Sequence, residues 1–202
     1  MSGEVGYSGL VERALRVAAV AHREQTRKGT ELPYITHPAH VAMILLRHGI
    51  DDEVTMATAI LHDVLEDTDY PRERLRAEFP EEVWEGLQPL TEKKLDGEGK
   101  GRPWSVRKEE HREHVAAAEW WVRGIALADK IHNLATMWSD LQEDDRLWER
   151  FNATPQDSLE VAERLIDAAE QGEERLRSLA AEGRTWVRRL REHPSTGRVK
   201  AD

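Results

Sequence analysis

The sequence predicts an all-α fold, a bundle of helices, and three observations carry that prediction. Apolar residues recur at helical spacing along most of the chain. No run alternates convincingly with period two, so no sheet is expected. Proline, glycine and capping residues punctuate the periodic stretches where helices should start and stop. The first helix is carried by Leu10, Ala14, Val17, Ala18 and Ala21, which follow one helical face. The stretch "KGTELP" then marks a turn, with Gly29 and Pro33 as its breakers. Pro38 suits the first turn of a second helix, "PAHVAMILLRH", which should stop at Gly49. Asp51 or Asp52 can cap a third, "DEVTMATAILHDVLED". That segment is apolar nearly all round between Ala57 and Leu65, which predicts a central buried helix. Pro71 and Pro80 open two short helices. Thr91 to Pro103, with three glycines, a proline and many charges, reads as a mobile loop. Helical patterns resume with "WSVRKEEHREHVAAAEWW" and "VRGIALADKIHNLATMWSDL". From Asp157 the spacing of Leu165, Ala169, Leu176 and Ala180 predicts a long amphipathic helix, followed by a shorter one around Trp186.

Composition narrows the function classes. At 202 residues the chain suits one domain with a helical appendage. We divide it into a main domain over 1–155, C-terminal helices over 156–193 packed on the same domain, and a flexible tail over 194–202. Apolar residues make up 39% and charged residues 34%, enough for a core under a highly charged surface. The chain has no cysteine, so disulfides and thiolate metal sites are excluded. No stretch approaches the ~18 apolar residues of a membrane span, and the N-terminus lacks the pattern of a secretion signal. A cytoplasmic location without membrane contact is expected. The formal net charge of −10 disfavours non-specific binding to nucleic acid. A small anionic ligand remains compatible, given a local basic pocket or a metal ion. No oligomeric state is read from the sequence.

Three short stretches carry chemistry. "LHDVLEDTD", Leu61 to Asp69, sets one His and four acidic residues among Leu, Val and Leu. On a helix His62 and Glu66 stand at i, i+4, while Asp63 meets Glu66 and Asp67 at i+3 and i+4. Carboxylates this close and partly buried need a proton or a cation to offset their charge. A polar stripe exposed on an otherwise buried helix is the plain alternative, and spacing alone leaves both open. "LADKIHNLATM" repeats the pattern with Asp129, His132 and Asn133 between apolar residues. "YITHP" places His37 at a helix entrance whose backbone is restricted by Pro38.

Together and in this order, "AHREQTRKGTELPYITHP", "ATAILHDVLEDT", "LTEKK", "WSVRKE" and "ALADKIHNLATM" resemble the HD-domain metal-dependent phosphohydrolases. The similarity is greatest to the hydrolase domains of RelA/SpoT homologues and to the small alarmone hydrolases. It covers Ala21 to Met137. The resemblance implies an HD-domain helical bundle and one divalent metal ion, Mn²⁺ by preference, held by His37, His62, Asp63 and Asp129. It implies a catalytic acidic pair, Glu66 and Asp67. It also implies nucleotide contacts from Arg27, Lys28, Asn133 and Thr136. The expected reaction is hydrolysis of guanosine 3′,5′-bis(diphosphate), or its pentaphosphate, at the 3′ position, giving GDP or GTP and pyrophosphate. Too few residues follow Met137 for the synthetase domain of the bifunctional relatives, so a stand-alone hydrolase is expected.

The residue types are coherent with this chemistry. Two imidazoles and two carboxylates suit Mn²⁺, Fe²⁺, Co²⁺ or Zn²⁺ without sharp selection among them. Lys93, Lys94, Lys100, Arg102, Arg107 and Lys108 offer positive charge near the acidic cluster, although each taken singly reads more simply as solvated surface. Where the resembling domains often carry Arg, Lys130 and Ala135 stand here, and "RKGTELPY" differs from their usual loop. Those departures keep two other substrates in view: an adenosine 3′-polyphosphate and the 2′-phosphate of NADPH. A non-catalytic alarmone sensor is the reading from another class.

Overall fold

A computed structural model describes residues 7–151 and 153–197. Among them the regular structure is helical, and two isolated β-bridges, Thr26 with Pro33 and Leu95 with Gly101, are the only extended pairings. No described helix is long and apolar enough to cross a membrane. The chain divides into two compact units, 1–107 and 108–202.

The first unit is built round a short central helix. Helix α1 spans Gly9–Ala21, capped by Ser8, whose hydroxyl accepts from the Val11 N–H at 3.2 Å. Helix α2 spans Thr36–Arg47 and ends before Gly49, whose φ of 76° is the left-handed value that glycine adopts at no steric cost. Helix α3 spans Glu53–Leu61, and of the two candidate caps Asp52 takes the role, accepting from Thr55 N–H at 2.9 Å. Every residue of α3 from Thr55 to Leu61 is buried, because α1, α2 and the later α6 all pack against it.

The sequence reading of one continuous helix through "DEVTMATAILHDVLED" is corrected here. The helix breaks after Leu61, His62 and Asp63 form a turn, and a single turn, α4, resumes over Val64–Asp67. The His62 ring accounts for part of this, since its Nδ1 lies 2.7 Å from the Ala59 carbonyl, bending back along its own helix. Thr68 ends α4 by donating its hydroxyl to the Val64 carbonyl at 2.7 Å. Helices α5 (Arg72–Glu78) and α6 (Glu81–Leu90) each begin directly after a proline, Pro71 and Pro80, as expected. The loop after α6 is more closed than a mobile loop would be. Asp96 accepts from the backbone N–H groups of Glu98 and Lys100, both at 2.9 Å, and the Leu95–Gly101 bridge draws its arms together. Helix α7, Trp104–Ala117, begins in this unit and continues into the second.

The second unit is three long helices. Helix α8 spans Trp120–Glu143, α9 Pro155–Glu170 and α10 Arg177–Glu192. The expected long and short pair at the C-terminus is in fact two helices of 16 residues each. Thr154 caps α9, and Pro155 takes its first position, where the missing N–H costs nothing. All three helices pack on one another. Gly183 makes this close: a Cβ there would stand 3.0 Å from Ile166 Cδ1 and 3.7 Å from Ile131. Arg123 of α8 donates to the carbonyls of Ala169 and Gln171, both at 2.6 Å, satisfying groups that the end of α9 leaves open. Residues 194–197 form a 3-10 turn with Ser195 and Thr196 buried, so order extends past the expected start of the tail. The rest of that expected tail, 198–202, lies outside the described residues.

Candidate metal centre

The break between α3 and α4 is what assembles the centre. On a regular helix His62 and Asp63 would point about 100° apart. At the break they turn to the same spot, with His62 Nε2 3.1 Å from Asp63 Oδ2. His37, in the first turn of α2, brings its Nε2 to 3.4 Å from the same oxygen. Both imidazoles are buried, 1% and 5% exposed. Two buried nitrogens converging on one carboxylate oxygen is a costly arrangement without positive charge.

The tautomer of His62 sharpens the point. A carbonyl oxygen only accepts, so the contact to Ala59 requires His62 Nδ1 to carry the proton. A neutral ring then presents a lone pair from Nε2 towards Asp63 Oδ2, acceptor against acceptor. A proton or a cation resolves that clash, and a backbone carbonyl holding the far nitrogen is the usual arrangement of a metal-ligating histidine. Burial works to raise the Asp63 carboxyl; with both rings protonated, the charge on His62 and His37 and the hydrogen bonds they then donate hold it well below the usual carboxylate range. Positive charge at this spot is what the side chains are arranged for, and the donor set fits a transition-metal ion.

One turn on, Glu66 and Asp67 face a basic group that comes from the loop after α6. Lys94 Nζ lies 3.3 Å from Glu66 Oε1 and bonds Asp67 Oδ1 closely. Glu66 Oε2 accepts from the Glu92 N–H at 2.9 Å. Burial pushes the Glu66 carboxyl above its ordinary 4.5, helped by the charges of Glu92 and Asp67 and opposed by that hydrogen bond and by Lys94. Glu92 is itself held by Arg107 at 3.2 Å. So, of the basic residues suggested by the sequence, Lys94 stands on the acidic pair and Arg107 braces it, while Lys93 and Lys100 are exposed. Arg102 donates to the Lys93 carbonyl.

The remaining candidates fall as follows. Arg27 sits over the Tyr34 ring, 5.5 Å from its centroid, and Lys28 beside it is exposed. A cleft of about 510 Å³ opens beside Asp67, lined also by Gln25, Tyr70, Arg23 and Arg74. In the second unit Asp129 lies half-buried on α8, its Oδ1 accepting from Asn133 Nδ2 at 2.6 Å. Asn133 thus orients Asp129. The Thr136 hydroxyl is turned to its own helix, 3.0 Å from the carbonyls of His132 and Asn133. Sequence reasoning gave Gln25 and Glu92 no place in this centre, and matched Tyr34 and His22 to common positions of the resembling domains without assigning either a contact. "YITHP" puts Tyr34 three residues before His37, but spacing carries no sign of a hydroxyl reaching Asp63.

The described residues are thus all-α in regular structure and carry a His/Asp group able to hold a metal ion. Comparison with known proteins agrees: the HD-domain family matches residues 14–152, and the chain belongs to that family. It is 33% identical over 174 residues to the guanosine-3′,5′-bis(diphosphate) 3′-pyrophosphohydrolase of Mus musculus, covering 82% of this chain and 89% of that one. It is 38% identical over 131 residues to a probable GTP pyrophosphokinase of Mycobacterium leprae, covering 63% of this chain. The chain spans only 16% of the length of that relative. A solved structure described as a metazoan ortholog of SpoT that hydrolyzes ppGpp superposes with a TM-score of 0.72 at 27% identity, covering 92% of this chain and 97% of the other.

Proposed function

We propose that this protein is a metal-dependent hydrolase of guanosine 3′,5′-bis(diphosphate) and its pentaphosphate, releasing pyrophosphate and leaving GDP or GTP. The observation that carries the reading is the convergence of His37, His62 and Asp63 one turn before Glu66 and Asp67. The names and coverage of the Mus musculus relative and the metazoan structure support the substrate. Asp129, held by Asn133, is the fourth ligand in this reading, and Mn²⁺ is the ion. Arg27 and Lys28 meet the phosphates, with Lys94 as a further positive group.

A divalent ion held there supplies Lewis-acid polarisation of a phosphoryl oxygen and a more acidic bound water. The chain's own residues do the rest. Water adds to the 3′-phosphorus as the bond from phosphorus to the ribose 3′-oxygen breaks. Asp67, fixed by Lys94, orients that water and accepts its proton. Glu66, whose burial favours the protonated form, delivers a proton to the departing 3′-oxygen. General acid–base help of this kind is worth ~10²–10⁴-fold. The closed turn of the loop after α6 keeps Lys94 beside both carboxylates, where its charge offsets part of theirs before a polyphosphate arrives.

The test is direct: purified protein with Mn²⁺ and ppGpp, following pyrophosphate and GDP. Release of both supports the reading. Turnover of an adenosine 3′-polyphosphate or NADPH in place of ppGpp would overturn the substrate and keep the reaction class. Tight nucleotide binding with metal present and no product would overturn catalysis in favour of a sensor.

A further inference from the structure

We propose that Tyr34 is a positioning residue for this centre: its hydroxyl holds the Asp63 oxygen on which both imidazoles converge, and ties that oxygen to the catalytic Asp67. The inference rests on the reading that His37, His62 and Asp63 hold a divalent ion. It concerns a residue to which that reading gives no role.

The geometry begins with the helix break. Asp63 sits at a turn, so helical packing does not fix its side chain, and it needs an anchor from elsewhere in the fold. Tyr34 Oη supplies one, 2.7 Å from Asp63 Oδ2. The same hydroxyl stands 3.2 Å from Asp67 Oδ2. A carboxylate oxygen has two lone pairs. With one occupied by the phenol, the other is left for the side on which the two Nε2 atoms stand. The contact therefore selects which lone pair of Asp63 faces the ion. It also sets the distance between a ligand and a catalytic carboxylate through a single rigid ring.

The ring is itself held on several sides. It stacks on the buried His22, centroids 4.6 Å apart at 23°, and meets His37 edge-on at 5.7 Å. Its backbone N–H donates to the Gln25 carbonyl at 2.9 Å. Gln25 extends the grip, because its Nε2 donates to the Asp67 main-chain carbonyl. Its Oε1 must then accept, which places the proton of His22 on Nδ1, 2.6 Å away. The loop from His22 to Tyr34 thus takes hold of the catalytic turn twice, through a phenol on Asp63 and a carboxamide on Asp67. Side chains that orient ligands from behind in this way typically change metal affinity or activity ~10–100-fold when removed.

The experiment compares wild type with Tyr34→Phe, which deletes the hydroxyl and keeps the stacked ring. Metal-free protein is titrated with Mn²⁺ by calorimetry, and thermal unfolding is recorded without metal. The proposal expects unchanged unfolding, Mn²⁺ affinity weakened ~10–100-fold, and a lower kcat with KM for the nucleotide held within about twofold. A second variant, Gln25→Leu, frees the Asp67 carbonyl and leaves the phenol; it should lower kcat and leave Mn²⁺ affinity at the wild-type value. Wild-type Mn²⁺ affinity in Tyr34→Phe overturns the positioning role while the metal reading stands. A wild-type protein that binds no Mn²⁺ overturns the metal reading, and the role of Tyr34 with it.

Discussion

The two units of this chain use burial in opposite ways. In the first, the buried polar residues among those described are His22, His37, Thr55, Thr58 and His62, and three of these five are imidazoles in or behind the candidate metal centre. Its central helix is only nine residues long and breaks at His62 and Asp63. In the second, α8, α9 and α10 bury Ile125, Leu127, Ile131, Leu159, Ile166, Leu179 and Val187 with hardly an interruption. Its buried polar groups are fewer among the described residues, His132, Ser195 and Thr196, and ion pairs lie further out, where Arg184 pairs with Asp167 and Glu170, and Arg191 with Glu163. The first unit keeps an apolar core and sets buried imidazoles beside it. The second is the apolar one, because apolar burial is the dominant favourable contribution to folding. Mutations should therefore separate, with chemistry lost at the proposed ligands and the acidic pair, and stability lost in the apolar packing of α8, α9 and α10.

The hardest test of that separation is His62→Ala. It removes a buried nitrogen donor from the group, and we expect bound metal and turnover both to fall below detection. Metal content by mass spectrometry of the intact protein checks the first. Asp129→Ala should do the same from the second unit. Retention of stoichiometric metal by Asp129→Ala would break the four-ligand reading.

Glu66→Gln should keep its metal and lose turnover by ~10²–10⁴-fold. It also has a signature in stability. The folded value is raised, so Glu66 costs nothing below the unfolded value, where both states hold the proton. As pH rises through the window up to the folded value, the unfolded chain releases its proton first and the native state loses ground. Removing the carboxyl removes that penalty. In metal-free protein the glutamine variant should match wild type near pH 4 and gain on it as pH rises to neutrality. Equal melting curves at both pH values would show that burial of Glu66 is not felt.

Ile166→Ala probes the other side. It empties the space under Gly183, and we expect a loss of ~2–5 kcal/mol in denaturant unfolding. Mn²⁺ affinity should not change, and a large change would break the separation of packing from chemistry. The smallest effect should come from Arg184→Ala. Its guanidinium is 39% exposed, so two ion pairs together should be worth no more than ~1 kcal/mol, falling with added salt.

Much of this was legible from the chain alone. Asp52, Gly49, Pro71 and Pro80 announce helix ends because capping and backbone strain are local properties, while the caps Ser8 and Thr154 came only from the structure. The buried character of α3 shows in its unbroken apolar run. His37, His62, Asp63, Glu66 and Asp67 were picked out by residue type, spacing and resemblance. The spacing argument itself assumed a continuous helix, and the structure replaced it with a turn. His62 and Asp63 act together because the helix stops between α3 and α4, which no periodicity shows.

Sequence by itself determined the helical class, the ends of most helices and the residue types of the centre, since each depends on neighbours a few positions away. Tertiary structure alone decided what surrounds those residues. Lys94 reaches Asp67 across 27 positions, Tyr34 reaches Asp63 across 29, and Gln25 reaches the Asp67 carbonyl across 42. Such contacts exist only after α1, α2 and α6 have closed on α3. Hydrogen bonds and ion pairs act over a few ångströms in space, and spacing along the chain says nothing of that distance until the core has formed.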